Sequence, residues 1–143
     1  MFSPDTCILI VDCELTMRSL IGKMLRELGF KNIQEASNGE MAWQKLETSH
    51  STKNPIQLVL CDWLIPKIKG LDLLKMSRFD ERFKNVPFVF ITSESGQKQV
   101  EQALESGVSH YVVTPFTADQ IKMRLEETYD RIFGSKTQES NKL

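Results

Sequence analysis

The run Leu58-Val59-Leu60-Cys61-Asp62-Trp63-Leu64-Ile65-Pro66 puts four apolar residues in a row ahead of a carboxylate and a proline. An apolar stretch this short, without the polar alternation of a half-exposed strand, reads as a strand buried on both faces, and the proline stops it. Such strands belong mainly to parallel sheets covered by helices. Asp62 therefore stands at the carboxyl end of a central strand. That edge is where open α/β sheets bind ligands, because the strand-to-helix loops gather there and helix amino termini add partial positive charge.

The segments on either side repeat the pattern. Cys7 to Val11 is a second apolar run ending at Asp12. Met17, Leu20, Ile21, Met24, Leu25 and Leu28 then recur at helical spacing until Gly29, which suits a helix terminus. Lys31 to Ala36 is expected as a short strand, and Asn38-Gly39 opens a helix striped by Met41, Ala42 and Leu46 that is expected to end near Glu47. The polar residues from Thr48 to Pro55 read as an exposed loop. After Asp62, Gly70 precedes a helix marked by Leu71, Leu73, Leu74 and Met76. Val86 to Ile91, with Pro87 near its start, is the next buried strand and ends at Thr92. Ser95 to Ser106 is a polar helix closed by Gly107, Ser109 to Val113 a strand ending at Thr114-Pro115, and Ile121, Leu125, Thr128 and Ile132 mark a last helix.

Five strands alternating with five helices predict an α/β fold: a doubly wound, five-stranded parallel sheet with strand order 2-1-3-4-5. Residues 1–133 are expected to form one domain and residues 134–143 a polar, disordered tail.

Composition narrows the function. The 143 residues are 41% hydrophobic and 26% charged, as in ordinary soluble proteins. Lys plus Arg number 18 against 19 acids, a net charge of -1 with no basic block, which argues against nucleic acid as a partner. No apolar run approaches the roughly 18 residues of a membrane span. A cytoplasmic monomer without membrane insertion is expected. Cys7, Cys13 and Cys61 are odd in number and lack metal-ligand spacing, so they read as free thiols.

The strand ends carry Asp12-Cys13, Asp62, Thr92 and Thr114, and the expected order would bring them into one crevice. A flavin mononucleotide site would need a hydroxyl- and glycine-rich loop after the first strand, where Asp12-Cys13-Glu14-Leu15-Thr16 would repel a phosphate. A phosphatase with an Asp nucleophile would need a second Asp two residues beyond Asp12, where Glu14 stands.

Ile8-Leu9-Ile10-Val11-Asp12, Thr16-Met17-Arg18, Leu25-Arg26-Glu27-Leu28-Gly29-Phe30, Asp62-Trp63 with Pro66 and Gly70-Leu71, and Tyr111-Val112-Val113 with Pro115-Phe116-Thr117 together resemble a response-regulator receiver domain of the single-domain chemotaxis (CheY) type. The resemblance covers about residues 5 to 133. It implies a two-component signalling phosphoacceptor rather than an enzyme in the usual sense: Asp62 takes a phosphoryl group from a histidine kinase, and a surface of the fourth helix, fifth strand and fifth helix signals to a protein target such as a motor. It further implies Mg²⁺ held by Asp12, Asp62 and the backbone carbonyl of Leu64, with Thr92 bonding the phosphoryl oxygens and Tyr111 turning inward as Thr92 moves. The Thr114-Pro115 bond is expected to be cis.

Three positions depart from that pattern, the mildest being Lys69, where the loop after the phosphoacceptor usually carries an acid just before the glycine. Cys13 stands where the family has a second acid; a thiol is soft and a poor Mg²⁺ ligand, so Mg²⁺ binding is expected to weaken by about 10–100-fold. Glu14 is adjacent, but its backbone direction argues against a substitute role. Thr114 stands where the family has a phosphoryl-contacting lysine, which replaces a charge-assisted bond of about 1.5–3 kcal/mol with a neutral one of about 0.5–1.5 kcal/mol. These losses leave an alternative: a phosphorylation-independent pseudo-receiver that acts as an interaction module.

Overall fold

The computed structural model describes residues 1–134; most of the expected tail, from residue 135 on, lies outside the described residues. Five strands, β1 (Ile8–Val11), β2 (Ile33–Ala36), β3 (Leu58–Cys61), β4 (Phe88–Thr92) and β5 (His110–Val113), alternate with helices α1 (Leu15–Glu27), α2 (Gly39–His50), α3 (Gly70–Phe79), α4 (Gln97–Glu105) and α5 (Ala118–Tyr129). All pairings are parallel, and the strand order is 2-1-3-4-5.

Alternate residues of the buried strands feed two cores, one on each face of the sheet. Leu9, Val11, Val59, Cys61, Phe88 and Phe90 pack against Ala42, Leu46, Leu73, Leu74 and Ala103 of α2, α3 and α4. Ile8, Ile10, Leu58, Leu60, Val89 and Ile91 pack against Ile21 and Leu25 of α1 and Ile121 and Leu125 of α5. Residues 58 to 61 are all buried, which is what an unbroken apolar run on a central strand requires.

Several boundaries move. Helix α2 continues through Thr48, Ser49 and His50, beyond the expected end near Glu47, and the fold engages Ser49 and His50. The Ser49 hydroxyl donates to the Leu46 carbonyl at 3.2 Å and accepts from the Ile56 amide at 3.1 Å. His50 meets Phe83 edge-on at 5.6 Å. Strand β4 begins at Phe88 rather than Val86: Pro87 has no N–H to give, although its carbonyl still accepts from Val59 at 2.9 Å. Helix α4 begins at Gln97 and β5 at His110, each later than expected. Helix α5 ends at Tyr129, and a π-helical turn over Asp130–Gly134 takes in Ile132. Phe2 packs edge-on against Tyr129 at 5.2 Å and anchors the amino terminus to that end. No helix among the described residues is long and apolar enough to cross a membrane.

Candidate functional site

The strand ends meet in a narrow cleft of about 70 Å³ lined by Asp12, Glu14, Met17, Asp62, Ile91, Thr92, Ser93 and Thr114. Strand pairing sets this convergence. The Asp62 amide donates to the Val11 carbonyl at 2.9 Å and the Thr114 amide to the Thr92 carbonyl at 2.9 Å, so each site residue is fixed to its neighbour just where the ladder stops. Beneath Asp62, α3 begins so close that a Cβ on Gly70 would lie 2.5 Å from the Asp62 carbonyl oxygen. Glycine is needed there for space.

On the β1 side, Asp12 is only 4% exposed. Its Oδ1 accepts the Glu14 amide at 2.9 Å. Arg18 donates from Nη1 to the Asp12 carbonyl at 2.7 Å and from Nε to Glu35 at 3.1 Å, which braces the loop against β2. Burial, reinforced by the negative charges of Asp62 and Glu14, pushes the Asp12 carboxyl up to about 6, against the opposing Glu14 amide and Arg18.

Cys13 does not face the cleft. It is exposed, and its sulfur lies 3.8 Å from the Leu64 carbonyl oxygen, to which the thiol donates. Partial desolvation and the charges of Asp12, Asp62 and Glu14 raise its pKa, so the thiol keeps its proton. Glu14 is among the residues lining the cleft, where its amide meets Asp12 Oδ1. No spacing signal identifies it, because its neighbour Cys13 occupies the position that the family pattern points to.

On the β4 side, Thr92 is 2% exposed and its Oγ1 accepts the Glu94 amide at 3.2 Å. The Glu94 carbonyl in turn accepts the Tyr111 hydroxyl. The backbone of one residue thus joins Thr92 to Tyr111, a link with no side-chain signal in the sequence. The Tyr111 ring lies 5.7 Å from Phe90 and 6.4 Å from Trp63, half-buried, so in this structure it already packs against the interior. Burial pushes its phenol up to about 12, and it remains a donor at neutral pH. Thr114 reaches the cleft from β5, and the Thr114-Pro115 bond is cis.

The donors suit a hard divalent cation in kind: the Asp12 and Asp62 carboxylates share the cleft, and the Leu64 carbonyl oxygen lies beside Cys13. They fall short in number. Among the described residues no three Asp, Glu, His or Cys side chains converge tightly enough to form a ready-made metal cluster.

Residues 8–126 match the response regulator receiver domain family. The chain is 42% identical over 119 residues to the chemotaxis protein CheY1 of Helicobacter pylori, covering 83% of this chain and 93% of that one. Among solved structures, the chemotaxis response regulator CheY4 of Vibrio cholerae superposes with a TM-score of 0.76 at 20% identity, covering 87% of this chain and 98% of the other. The receiver domain of a Pseudomonas aeruginosa sensor histidine kinase, with magnesium ion coordinated in the active site cleft, superposes with a TM-score of 0.72 at 23% identity over 91% and 98% of the two chains.

Proposed function

The chain belongs to the response regulator receiver family, and from that premise we propose that Asp62 is its phosphoacceptor. The observation that carries this reading is the single cleft shared by Asp62, Asp12, Thr92 and Thr114. Phosphorylation by a histidine kinase is the norm of the family. In the reaction an Asp62 oxygen attacks phosphorus, the P–N bond to the kinase histidine breaks, and the imidazole leaves with the bonding pair. Asp12, Asp62 and the Leu64 carbonyl would hold Mg²⁺, whose charge offsets that of the phosphoryl oxygens. Asp12 keeps the cleft acidic, and Arg18 holds the Asp12 peptide in place.

The Thr92 hydroxyl would turn to the new phosphoryl oxygens and release the Glu94 amide. Because the backbone of the same residue, Glu94, accepts the Tyr111 hydroxyl through its carbonyl, movement at Thr92 would be felt at the exposed surface of α4, β5 and α5. That surface would meet a downstream protein in the cytoplasm, with the chain acting as a monomer.

A second reading, the phosphate-independent module, draws support from Cys13, Thr114 and the Tyr111 ring already packed on Phe90. One experiment separates the two. A small phosphodonor with millimolar Mg²⁺ should give an aspartyl phosphate by mass spectrometry on wild type and none on Asp62→Asn, and beryllofluoride should change Trp63 fluorescence. Absence of both responses in wild type would establish the second reading.

A further inference from the structure

The two nitrogens of one ring tie Tyr111 to the last helix. His110 opens β5 immediately before Tyr111, and its side chain is only 11% exposed. Its Nδ1 lies 2.8 Å from the Tyr111 amide nitrogen, and its Nε2 lies 2.9 Å from Glu127 Oε2 on α5. A backbone N–H can only donate, so Nδ1 accepts; an ionised carboxylate can only accept, so Nε2 carries the proton. The neutral ring in this one tautomer satisfies both contacts, and no other form of the ring does.

Glu127 is held ready as the acceptor. Arg124 donates from Nη1 to Glu127 Oε1 at 2.7 Å, and Arg131 of the π-helical turn lies 3.9 Å from Glu127 Oε2. The bonds from His110 and Arg124 keep the Glu127 carboxyl below its usual pKa. Among the described residues the charges that face His110 are Glu127 and Arg124 from α5 and Arg131 from the turn, while its neighbour across the sheet, Val89 of β4, is apolar. Burial lowers the His110 pKa from its ordinary value, aided by the two arginines and opposed by Glu127. A proton taken from water at Nδ1 turns that acceptor into a donor aimed at the Tyr111 N–H. Nε2 keeps Glu127, now through a charge-assisted bond, so the Tyr111 contact is the one that breaks.

We infer that His110 is a positioning residue for Tyr111 and an acid-sensitive latch: neutral, it fastens the Tyr111 backbone to α5; protonated, it goes over to Glu127 and frees that backbone. Tyr111 also bonds the Glu94 carbonyl, so the latch gives protons a second input to the α4, β5 and α5 surface. Only the naming of that surface as the output face rests on the reading above.

The test is nuclear magnetic resonance of the ¹⁵N-labelled full chain, without phosphodonor or metal. At about pH 7.5 the His110 ring should carry its proton on Nε2, and a through-bond ¹⁵N–¹⁵N coupling should join Nδ1 to the Tyr111 amide. On acidification the ring should titrate with a midpoint below about 6.5, and the coupling should vanish with the same midpoint. Glu127→Gln should lower that midpoint further, because it removes the charge that favours the imidazolium. His110→Asn puts an amide oxygen near the place of Nδ1 and cannot titrate, so the Tyr111 amide resonance should lose its pH dependence between about pH 5 and 8. The folded ring resists a proton that the unfolded chain accepts near pH 6.5, so wild type should lose melting temperature relative to His110→Asn as pH falls below about that value.

A proton on Nδ1 at neutral pH, absence of the coupling there, or a coupling that persists through the His110 titration would overturn the latch and leave Asp62 as phosphoacceptor. Loss of the coupling with the ring titration, in a wild-type chain that forms no aspartyl phosphate, would support the latch and overturn the Asp62 reading alone.

Discussion

On the β1 side of the Asp62 cleft the chain concentrates negative charge in a buried place, whereas on the β4–β5 side it offers a phosphoryl group only neutral hydroxyls. The first wall has Asp12 at 4% exposure, with Glu14 and Asp62 beside it. The second has Thr92, Ser93 and Thr114, backed by the Glu94 peptide and the Tyr111 ring. Charge crowding makes the empty state costly and favours whatever neutralises it, a proton or a cation. Neutral hydroxyls leave the empty state relaxed and lower the gain on phosphorylation. One wall should therefore govern affinity and pH dependence, and the other should govern how strongly occupancy is transmitted.

The largest effect should come from neutralising the charged wall. An ordinary aspartate titrates near 3.9, and burial with two negative neighbours pushes Asp12 up to about 6. Between these values the folded protein holds a proton that the unfolded chain has released, so metal-free stability falls as pH rises through the window. The loss is about 3 kcal/mol at most, from about two pH units at 1.36 kcal/mol each. Asp12→Asn removes the titration and keeps an oxygen for the Glu14 amide. In chelator, urea unfolding should show the variant about 2–3 kcal/mol more stable than wild type at pH 7, with the difference closing near pH 4. Parallel stability curves for the two proteins would show that the charged wall is not strained.

Charging the neutral wall should have a smaller effect of a different kind. Thr114→Lys puts a cation at the cleft, where a charge-assisted bond exceeds a neutral one by about 1–2 kcal/mol. Beryllofluoride binding followed by Trp63 fluorescence should tighten by about five- to thirtyfold. Unchanged affinity would mean that position 114 does not reach the phosphoryl oxygens, and the contrast between the walls would have to rest on Thr92 alone.

The sheet was legible because burial on both faces leaves an unmistakable pattern in β1 and β3: no polar residue interrupts Ile8–Val11 or Leu58–Cys61. Asp12, Asp62, Thr92 and Thr114 were legible for the related reason that each is the first polar residue after an apolar run. The end of α2 was not legible, since Ser49 and His50 have the same composition whether water or the fold satisfies them. Glu14 was hidden by the direction a loop takes after a strand, which no residue type encodes. Glu94 was hidden more completely, because its contribution is a backbone N–H and a backbone C=O that any residue at that position would carry.

That last link gives the smallest and most local effect. Tyr111→Phe keeps the ring, with its contacts to Phe90 at 5.7 Å and Trp63 at 6.4 Å, and removes only the hydroxyl that bonds the Glu94 carbonyl. Net stability should drop by about 0.5–1 kcal/mol, at the low end for a hydrogen bond because the half-exposed site lets water take over the carbonyl. The informative readout is hydrogen exchange in the loop between Ser93 and Gly96. If the backbone of Glu94 joins the two hydroxyls across its Cα, its amide, which Thr92 accepts at 3.2 Å, should exchange faster in the variant even though Thr92 itself is untouched. Amides in α1 and β1 should exchange as in wild type, since the charged wall shares none of these bonds. Faster exchange on both sides would mean that the two walls respond as one unit, and the division between affinity and transmission would fail.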